Sequence, residues 1–463
     1  MAPTSPSDST PVSPSARALV LVDGEHYPPV VRAAIADLRA KGYEIVGAVF
    51  LGGVEKLAAG EMPDYGVGAV VTGDTPVDAL RAGIHGGAPD VVVDLSCSPV
   101  VDARSRMLLA SHALYLGVAY EGADFRFDPP PRPRVAKKPS IAVVATAKRA
   151  GKTAVAAHLA RVLTDAGRRV AIVAMGRGGP DEPEVIEIGA DLTPAALLAL
   201  AEAGRHAASD HLEDALTARV PTIGTRRAGG GLAGATIHTT FARGVEIANA
   251  RAEELLILEG SGAAIPPVHA DATVCLVPAH ADPELVTGYL GAYVLLLADL
   301  VVVTMATEPL DRAADALEDR IRELVPGKPI LRTTFRPFPL GSISGLNVFF
   351  ATTAPPPVAA TLAAHLEAEH GARVVGWSAN LADRRLLADD LQAAEGAEVV
   401  VTELKAAAVD VATRVAIEAD KDVVYCDNRP FLTASPDPSS ASIADALRNL
   451  ADLAIDRFSR PSA

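Results

Sequence analysis

The fold class follows from one segment, Ile141-Ala142-Val143-Val144-Ala145-Thr146-Ala147-Lys148-Arg149-Ala150-Gly151-Lys152-Thr153. Its first five residues are apolar, which is typical of a buried parallel strand. A tight loop follows, and Gly-Lys-Thr then begins a helical pattern that extends to Leu163. This order of strand, loop and helix predicts a P-loop, although Thr146 stands where the pattern G-x-x-x-x-G-K-T has its first glycine.

A P-loop holds the phosphates of a nucleotide through backbone N–H groups, a lysine and the positive end of a helix. Its threonine hydroxyl binds Mg²⁺. We therefore expect ATP and Mg²⁺ as cofactors. The predicted nucleotide-binding residues are Lys148, Arg149, Ala150, Gly151, Lys152 and Thr153.

A carboxylate suited to the metal follows the apolar run Leu255–Leu258 in Leu258-Glu259-Gly260-Ser261-Gly262. Mg²⁺ takes one or two carboxylates beside phosphate oxygens and water. We predict that Glu259 and Thr153 bind the metal. The alternative is that Glu259 only caps a helix or closes a turn after the strand.

Two arginine-bearing segments stand out in a chain whose formal net charge is −15. The first is Met175–Pro180, and the second is the glycine-rich loop predicted at Thr225–Gly234. Arginine forks and glycine backbone both suit phosphate, so we predict a second, phosphorylated small molecule there. A solvated surface loop is the alternative. The predicted substrate-binding residues are Arg177, Arg226, Arg227, Gly229, Gly230 and Gly231.

The segment Asp23–Pro28 follows the first apolar run of the chain, Ala18–Val22. Ligands of open α/β sheets bind at the carboxyl ends of strands, so His26 is a candidate substrate or acid–base residue. A helix-entry turn capped by Asp23 or Glu25 is an equally supported interpretation.

The chain alternates strand and helix patterns in blocks, which predicts α/β architecture. The expected fold is a P-loop NTPase with a parallel sheet core, preceded by a Rossmann-like α/β domain. The predicted organisation is a disordered tail over 1–16, the Rossmann-like domain over 17–128, a proline-rich linker over 129–139, the P-loop domain over 140–344 and an α/β extension of it over 345–463.

Composition excludes several classes of protein. A strongly acidic chain repels nucleic acid and anionic membranes, so we expect neither partner. Residues 288–307 are nearly as long as a membrane span, but Asp299 followed by a β-branched run favours a helix and then a buried strand. The three cysteines lack metal spacing and are expected to be buried free thiols in a cytoplasmic protein.

The chain resembles the cyclic 2,3-diphosphoglycerate synthetase family from Leu19 to Pro430. The motifs that carry the resemblance are Val22–Pro29, Lys148–Thr153, Gly176–Gly179, Gly224–Gly231 and Leu258–Gly262. The nucleotide-binding half is also similar to lipid A 4′-kinases, and the Glu-Gly-x-Gly turn is similar to that of dethiobiotin synthetase.

The resemblance implies an ATP-dependent ligase that closes 2,3-diphosphoglycerate into a cyclic anhydride, with ADP and phosphate released. We predict Lys152, Arg177, Arg226 and Glu259 as catalytic residues, and His26 as a further substrate contact. We also expect a homodimer. Two alternatives stay open: a P-loop kinase or ligase for another small acid, and a nucleotide switch. Guanine specificity is not supported, because Thr304–Thr307 lacks the Lys and Asp of the base-reading motif.

Overall fold

The computed structural model describes residues 15–53, 55, 63–392, 394–434 and 442–460. Most of the predicted tail, residues 1–14, lies outside the described residues. Internal contacts divide the chain into two compact units. The first contains residues 1–130 and 287–296, and the second contains residues 131–286 and 297–463.

The first unit is built on a six-stranded sheet of strand order β3-β2-β1-β4-β5-β6, parallel except for the last pair. Runs of Val, Ala and Leu form its central strands, which are buried on both faces. Because β2 and β4 flank β1, the strand order reverses beside β1, where such sheets bind ligands. The elements are β1 (Arg17–Val22), α1 (Pro28–Ala40), β2 (Glu44–Phe50), β3 (Val70–Val71), α2 (Pro76–Gly87), β4 (Val91–Asp94), α3 (Ala103–Tyr115), β5 (Ala119–Glu121) and β6 (Arg126–Phe127).

The rest of the chain continues the alternation of strands and helices. The elements are β7 (Ser140–Ala145), α4 (Lys152–Asp165), β8 (Val170–Gly176), β9 (Glu184–Ile186), α5 (Pro194–Glu202), α6 (Asp210–Ala218), β10 (Thr222–Ala228), β11 (His238–Thr239), α7 (Phe241–Asn249), β12 (Leu255–Glu259), β13 (Ala272–Pro278), α8 (Pro283–Thr287), α9 (Gly291–Leu297), β14 (Leu300–Thr304), α10 (Asp311–Leu324), β15 (Ile330–Pro339), β16 (Asn347–Ala351), α11 (Pro356–His370), β17 (Arg373–Ser378), α12 (Arg384–Gln392), β18 (Val399–Glu403), a π-helical turn (Ala408–Thr413), α13 (Arg414–Glu418), β19 (Asp422–Ala434) and α14 (Ile443–Ser459).

One large sheet organises the second unit, in the order β11-β10-β8-β12-β7-β13-β14-β15-β19-β18-β16-β17. The strands from β10 to β15 are parallel to their neighbours, and β7 lies between β12 and β13. The carboxyl ends of β7, β8, β10 and β12 therefore share one edge. Side chains of α4 and α14 pack with β7, β8, β12 and β13 in one apolar core.

The second parallel set, β19-β18-β16-β17, joins the first through the antiparallel pair of β15 and β19. The sheet thus runs without interruption from the P-loop strand to β17. The predicted fold class, an α/β protein with a parallel P-loop sheet after a Rossmann-like domain, is confirmed.

Several local predictions are also settled by these elements. Residues 288–307 form a helix and then the strand β14. Within the described part of the chain, no helix is long and apolar enough to cross a membrane. Cys97 is exposed, so the expectation of burial is wrong for this thiol and correct for Cys275 and Cys426.

Candidate active site

The P-loop joins β7 to α4, and Gly151 is the residue before the helix. Gly151 has φ +88°, and a Cβ there would collide with the ring of Phe335, so only glycine fits. Arg149 also has a positive φ of +63°, which is a strained conformation for a residue with a side chain. The loop is therefore held in a fixed, tight curve with Lys152 and Thr153 at the start of α4.

Lys152 is buried and its Nζ donates a hydrogen bond to the Gly262 carbonyl, 2.8 Å away. Burial lowers the pKa of this ammonium group, although the nearby charges of Glu259 and Asp210 act in the opposite direction. Thr146 Oγ1 is buried near the start of the loop without a hydrogen-bond partner. The loop thus presents a buried cation and an unused hydroxyl.

Glu259 ends β12, next to the P-loop strand, with Glu259 opposite Val143 in the register. Its Oε1 accepts a hydrogen bond of 2.9 Å from Thr153 Oγ1, while its Oε2 has no partner. The pKa of this carboxyl is raised to about 7, mainly because it is buried and also because Asp210 adds negative charge. A hydrogen bond with Asp214, the charge of Lys152 and the hydrogen bond from Thr153 act against the rise. The structure therefore brings the two predicted metal ligands together, which excludes the interpretation of Glu259 as a helix cap.

The pair of Thr153 and Glu259 fits Mg²⁺, because a buried carboxylate oxygen next to the P-loop hydroxyl lacks any donor. Elsewhere among the described residues, no three His, Cys, Asp or Glu side chains converge on one point. The protein therefore offers a partial ligand set. Mg²⁺ typically completes such a set with phosphate oxygens and water.

Sequence analysis missed a second carboxyl group beside Glu259. Asp214 on α6 is completely buried, and neither of its oxygens accepts a hydrogen bond from a donor group. Burial raises the pKa of Asp214 well above its ordinary value, and the charge of Glu259 within hydrogen-bonding reach raises it further. A signal was present, because Asp214 lies at helical spacing from His211 and Ala218 on the buried face of α6.

Arg177 follows β8 directly and is exposed. Its charge lowers the pKa of both Lys148 and Arg227, in each case after the larger effect of desolvation. These three cations therefore crowd one region at the carboxyl edge of the sheet. The charge of Asp210, the first residue of α6, raises the pKa of both Lys148 and Arg227 and so opposes the effect of Arg177. Asp210 was also missed by the sequence analysis.

Arg226 and Arg227 do not lie in a loop, as predicted, but at the end of strand β10. Backbone hydrogen bonding to β8 continues through Arg226, so neighbouring side chains point to opposite faces. Arg226 donates to the Gly179 carbonyl at 2.9 Å and pairs with Asp181. The two arginines therefore cannot act as one fork.

Arg227 is the buried member of this pair. Its Nη1 donates to the Gly229 carbonyl at 2.7 Å and its Nη2 to the Ser261 carbonyl at 2.8 Å. Its Nε is buried without a partner. Arg227 thus connects the glycine turn at Gly229–Gly231 to the loop after Glu259, whereas the side chain of Arg226 contacts Gly179 and Asp181 instead.

The segment after β18 adds a cation that sequence analysis did not assign to the site. Lys405 Nζ lies 2.7 Å from both carboxylate oxygens of Glu213 on α6. Its charge also contributes to the lowered pKa of Lys148. Helix α6 therefore carries Asp210 and Asp214 while Lys405 fixes its first turn.

The candidate segment of the first unit has its own geometry. Asp23 is buried at the end of β1 and accepts hydrogen bonds from the backbone N–H groups of Glu25, His26 and Cys97 at 3.0, 3.2 and 2.7 Å. His26 Nδ1 lies 2.8 Å from the same carboxylate. The carboxylate of Asp23 thus caps the turn that leads into α1 rather than the helix itself, whose preceding residue is Tyr27 and makes no side-chain capping hydrogen bond.

Comparison with known protein families gives matches to three models. They are described as the N-terminal, P-loop and C-terminal domains of cyclic 2,3-diphosphoglycerate synthetase, and they match residues 17–128, 140–334 and 339–429.

Individual relatives agree with these models. The cyclic 2,3-diphosphoglycerate synthetase of Rubrobacter xylanophilus is 48% identical over 422 residues, covering 89% of this chain and 94% of that protein. The synthetase of Methanothermus fervidus is 44% identical over 452 residues, covering 95% and 98%. Among solved structures, LpxK from Aquifex aeolicus in complex with ATP has a TM-score of 0.40 and 15% identity, covering 71% of this chain and 90% of that chain.

Proposed function

The chain belongs to the cyclic 2,3-diphosphoglycerate synthetase family, and from this premise we propose that it cyclises 2,3-diphosphoglycerate at the expense of ATP. Family membership makes it an ATP-dependent ligase with a P-loop nucleotide site. The substrate, the chemical steps, the metal and the role of each residue are our proposal.

The observation that carries the proposal is the crowding of cations at one edge of the sheet in an acidic chain. The charge of Arg177 lowers the pKa of both Lys148 and Arg227 there, in each case after the larger effect of desolvation, and Lys152 is buried in the adjoining loop. A diphosphoglycerate carries about five negative charges when each phosphate monoester contributes up to two. Cations that lie close together repel one another, and a ligand with this much negative charge would relieve the repulsion when it binds among them.

In the proposed reaction, an oxygen of one substrate phosphate attacks the γ-phosphorus of ATP and ADP leaves. An oxygen of the other substrate phosphate then attacks the activated phosphorus of the first and expels inorganic phosphate, which closes the ring. The sum is ATP and 2,3-diphosphoglycerate giving ADP, phosphate and the cyclic anhydride. Neither step requires a protein nucleophile, so catalysis consists of positioning and neutralisation of charge.

Lys152 contacts the β- and γ-phosphates from the start of α4, where the backbone N–H groups of 148–153 surround them. Thr153 and Glu259 hold Mg²⁺, which supplies charge neutralisation at the phosphate oxygens when bound. Glu259 keeps the Thr153 hydroxyl oriented by accepting its proton in a hydrogen bond of 2.9 Å. Both residues are rigidly placed by neighbouring elements of the core.

Arg177 and Arg227 neutralise the substrate phosphates, and the N–H groups of Gly229 and Gly230 support them, whereas that of Gly231 donates to the Ala235 carbonyl at 2.8 Å. Arg226, predicted as catalytic, pairs with Asp181 and Gly179, so we assign it a weaker role in holding the turn after β8. His26 remains a proposed substrate contact, since Asp23 holds its Nδ1 and directs Nε2 away from the carboxylate. The homodimer and the cytoplasmic location also remain proposals.

The test is the rate of ADP release from Mg²⁺-ATP with and without 2,3-diphosphoglycerate, compared with 2-phosphoglycerate and simple carboxylic acids. We expect stimulation by 2,3-diphosphoglycerate that Lys152→Ala abolishes and that Lys137→Ala, at an exposed lysine before β7, leaves intact. Stimulation by another acid alone would replace the proposed substrate. Turnover that needs a protein partner and no small acid would identify a nucleotide switch.

A further inference from the structure

The buried carboxyl group of Asp214 has no place in the reaction as described so far. A charged group with no donor around it is among the most costly features a protein core can contain. Asp214 is fully buried on α6, and both of its oxygens lack a donor. Its presence therefore calls for a ligand or a neighbour that compensates the charge.

The neighbour is Glu259, which lies within hydrogen-bonding reach and is itself nearly fully buried. Three carboxylate oxygens of this pair lack a donor: both of Asp214 and Oε2 of Glu259. The fourth is bound by the hydroxyl of Thr153. Two acidic groups that face each other in this way either share a proton or need a positive charge beside both.

Lys152 offsets part of the negative charge of Glu259, but the protein's own cations are hydrogen-bonded to other acceptors. Lys152 Nζ is directed to the Gly262 carbonyl. Lys405 binds Glu213, one residue before Asp214, and Arg227 is engaged by the Gly229 and Ser261 carbonyls. These three cations are thus hydrogen-bonded to other acceptors, whereas the pair borders the P-loop threonine.

We propose that Asp214 is a third protein group of the magnesium site, acting with Thr153 and Glu259 to bind the divalent cation that accompanies the nucleotide. This inference rests on the proposed function, because it presupposes that Thr153 and Glu259 hold Mg²⁺. Mg²⁺ commonly takes one or two carboxylates beside phosphate oxygens, so a hydroxyl with two carboxylates is a suitable partial set. Asp214 binds either directly or through a metal-bound water.

The position of α6 gives this arrangement a structural basis. The helix packs against the P-loop helix α4 and against β8 and β10, so a side chain from its second turn reaches the space beside β12. Lys405 fixes the same helix through Glu213, at 2.7 Å to both oxygens. Asp214 is therefore placed by a rigid element rather than by a loop, as metal ligands require.

The experiment measures metal affinity directly, with Mn²⁺ as the probe and electron paramagnetic resonance as the readout. The full chain is saturated with a non-hydrolysable ATP analogue and titrated with Mn²⁺. For Asp214→Asn we expect a Kd for Mn²⁺ about 10–100-fold higher than for the natural chain. Binding of the analogue in EDTA should be unchanged or tighter, since a negative charge near its phosphates is removed.

The matched control is Asp165→Asn. Asp165 is exposed at the far end of α4, about 18 Å along the helix from Thr153 at 1.5 Å per residue, and its variant should bind Mn²⁺ as the natural chain does. Asp214→Ser provides a second neutral variant if the asparagine variant fails to fold, and thermal unfolding establishes which variant is folded.

The outcomes separate the two proposals. If the natural chain with bound analogue takes up no Mn²⁺, the metal role of Thr153 and Glu259 fails as well. If the natural chain binds Mn²⁺ and a folded Asp214 variant binds it equally tightly, the inference about Asp214 alone is wrong. A purely structural Asp214 would change the thermal midpoint and leave the Kd for Mn²⁺ unmoved.

Discussion

Replacing Glu259 by Gln should make the metal-free protein more stable at neutral and alkaline pH while abolishing activity. The pKa of Glu259 is raised from 4.5 to about 7, chiefly by burial. At 1.36 kcal/mol per pH unit, this difference corresponds to about 3 kcal/mol. Glutamine keeps an oxygen that can accept from Thr153 and gains an N–H that can donate to Asp214.

The direction of this pH dependence follows from the protons that the folded and unfolded chains bind at Glu259. Below pH 4.5 the Glu259 carboxyl is protonated whether the chain is folded or unfolded, so it has no effect on the pH dependence of stability. Between pH 4.5 and about 7 the unfolded chain releases this proton first, so the free energy of unfolding falls as the pH rises. Above pH 7 the loss is complete. The advantage of Glu259→Gln should therefore grow from near zero at pH 4.5 to about 3 kcal/mol at pH 8.

The assay is urea denaturation in EDTA, followed by the fluorescence of Trp377. Trp377 is the only tryptophan of the chain and lies in β17, in the same sheet as Glu259, so its signal reports on this unit. Glu246→Gln, at an exposed position on α7, serves as the control and should follow the natural chain. Parallel stability curves for Glu259→Gln and the natural chain between pH 5 and 8 would refute the reasoning.

Four further substitutions probe the neighbouring groups. Arg227→Met should lower kcat/KM for 2,3-diphosphoglycerate about 10–100-fold, because one charge-assisted hydrogen bond is lost, whereas Arg226→Met should lower it less than 10-fold. Equal losses for the two variants in steady-state assays would show that Arg227 is not the main substrate contact of the pair. Lys405→Met leaves Glu213 without its cation and should lower the free energy of unfolding by about 1–3 kcal/mol. The loss is smaller than for a fully buried pair, because the Lys405 side chain is 39% exposed, and an unchanged urea midpoint would contradict the prediction. Gly151→Ala forces a side chain into a left-handed conformation against an aromatic ring, so calorimetry should detect no ATP binding by a chain that is still folded.

The features that could be predicted from the sequence share a local cause. The apolar run before Thr146 has only one stable environment, a buried parallel strand, and the Gly-Lys-Thr that follows fixes the start of a helix. Glu259 was identifiable for the same reason, because an acidic residue at the end of such a strand must lie at the ligand edge.

The features that were missed depend on contacts between distant segments. Thr225–Ala228 was assigned to a loop because glycines follow it, yet pairing with β8 makes it a strand and separates Arg226 from Arg227. The strand β19 was not predicted, because its many polar residues obscure the pattern and its pairing with β15 is non-local. The only local sign at Asp214 is its position on the apolar face of α6, and its partner Glu259 is 45 positions away in the sequence.

The family's P-loop, the paired Thr153 and Glu259, and the cation cluster together lead to one claim, that the site joins two phosphates of the same molecule. ³¹P NMR of 2,3-diphosphoglycerate turned over with Mg²⁺-ATP tests it most directly. We predict one ADP and one inorganic phosphate for each cyclic product, with both phosphorus atoms of the substrate retained in the ring. Accumulation of a linear, triply phosphorylated acid, or phosphate release with the substrate unchanged, would contradict the account.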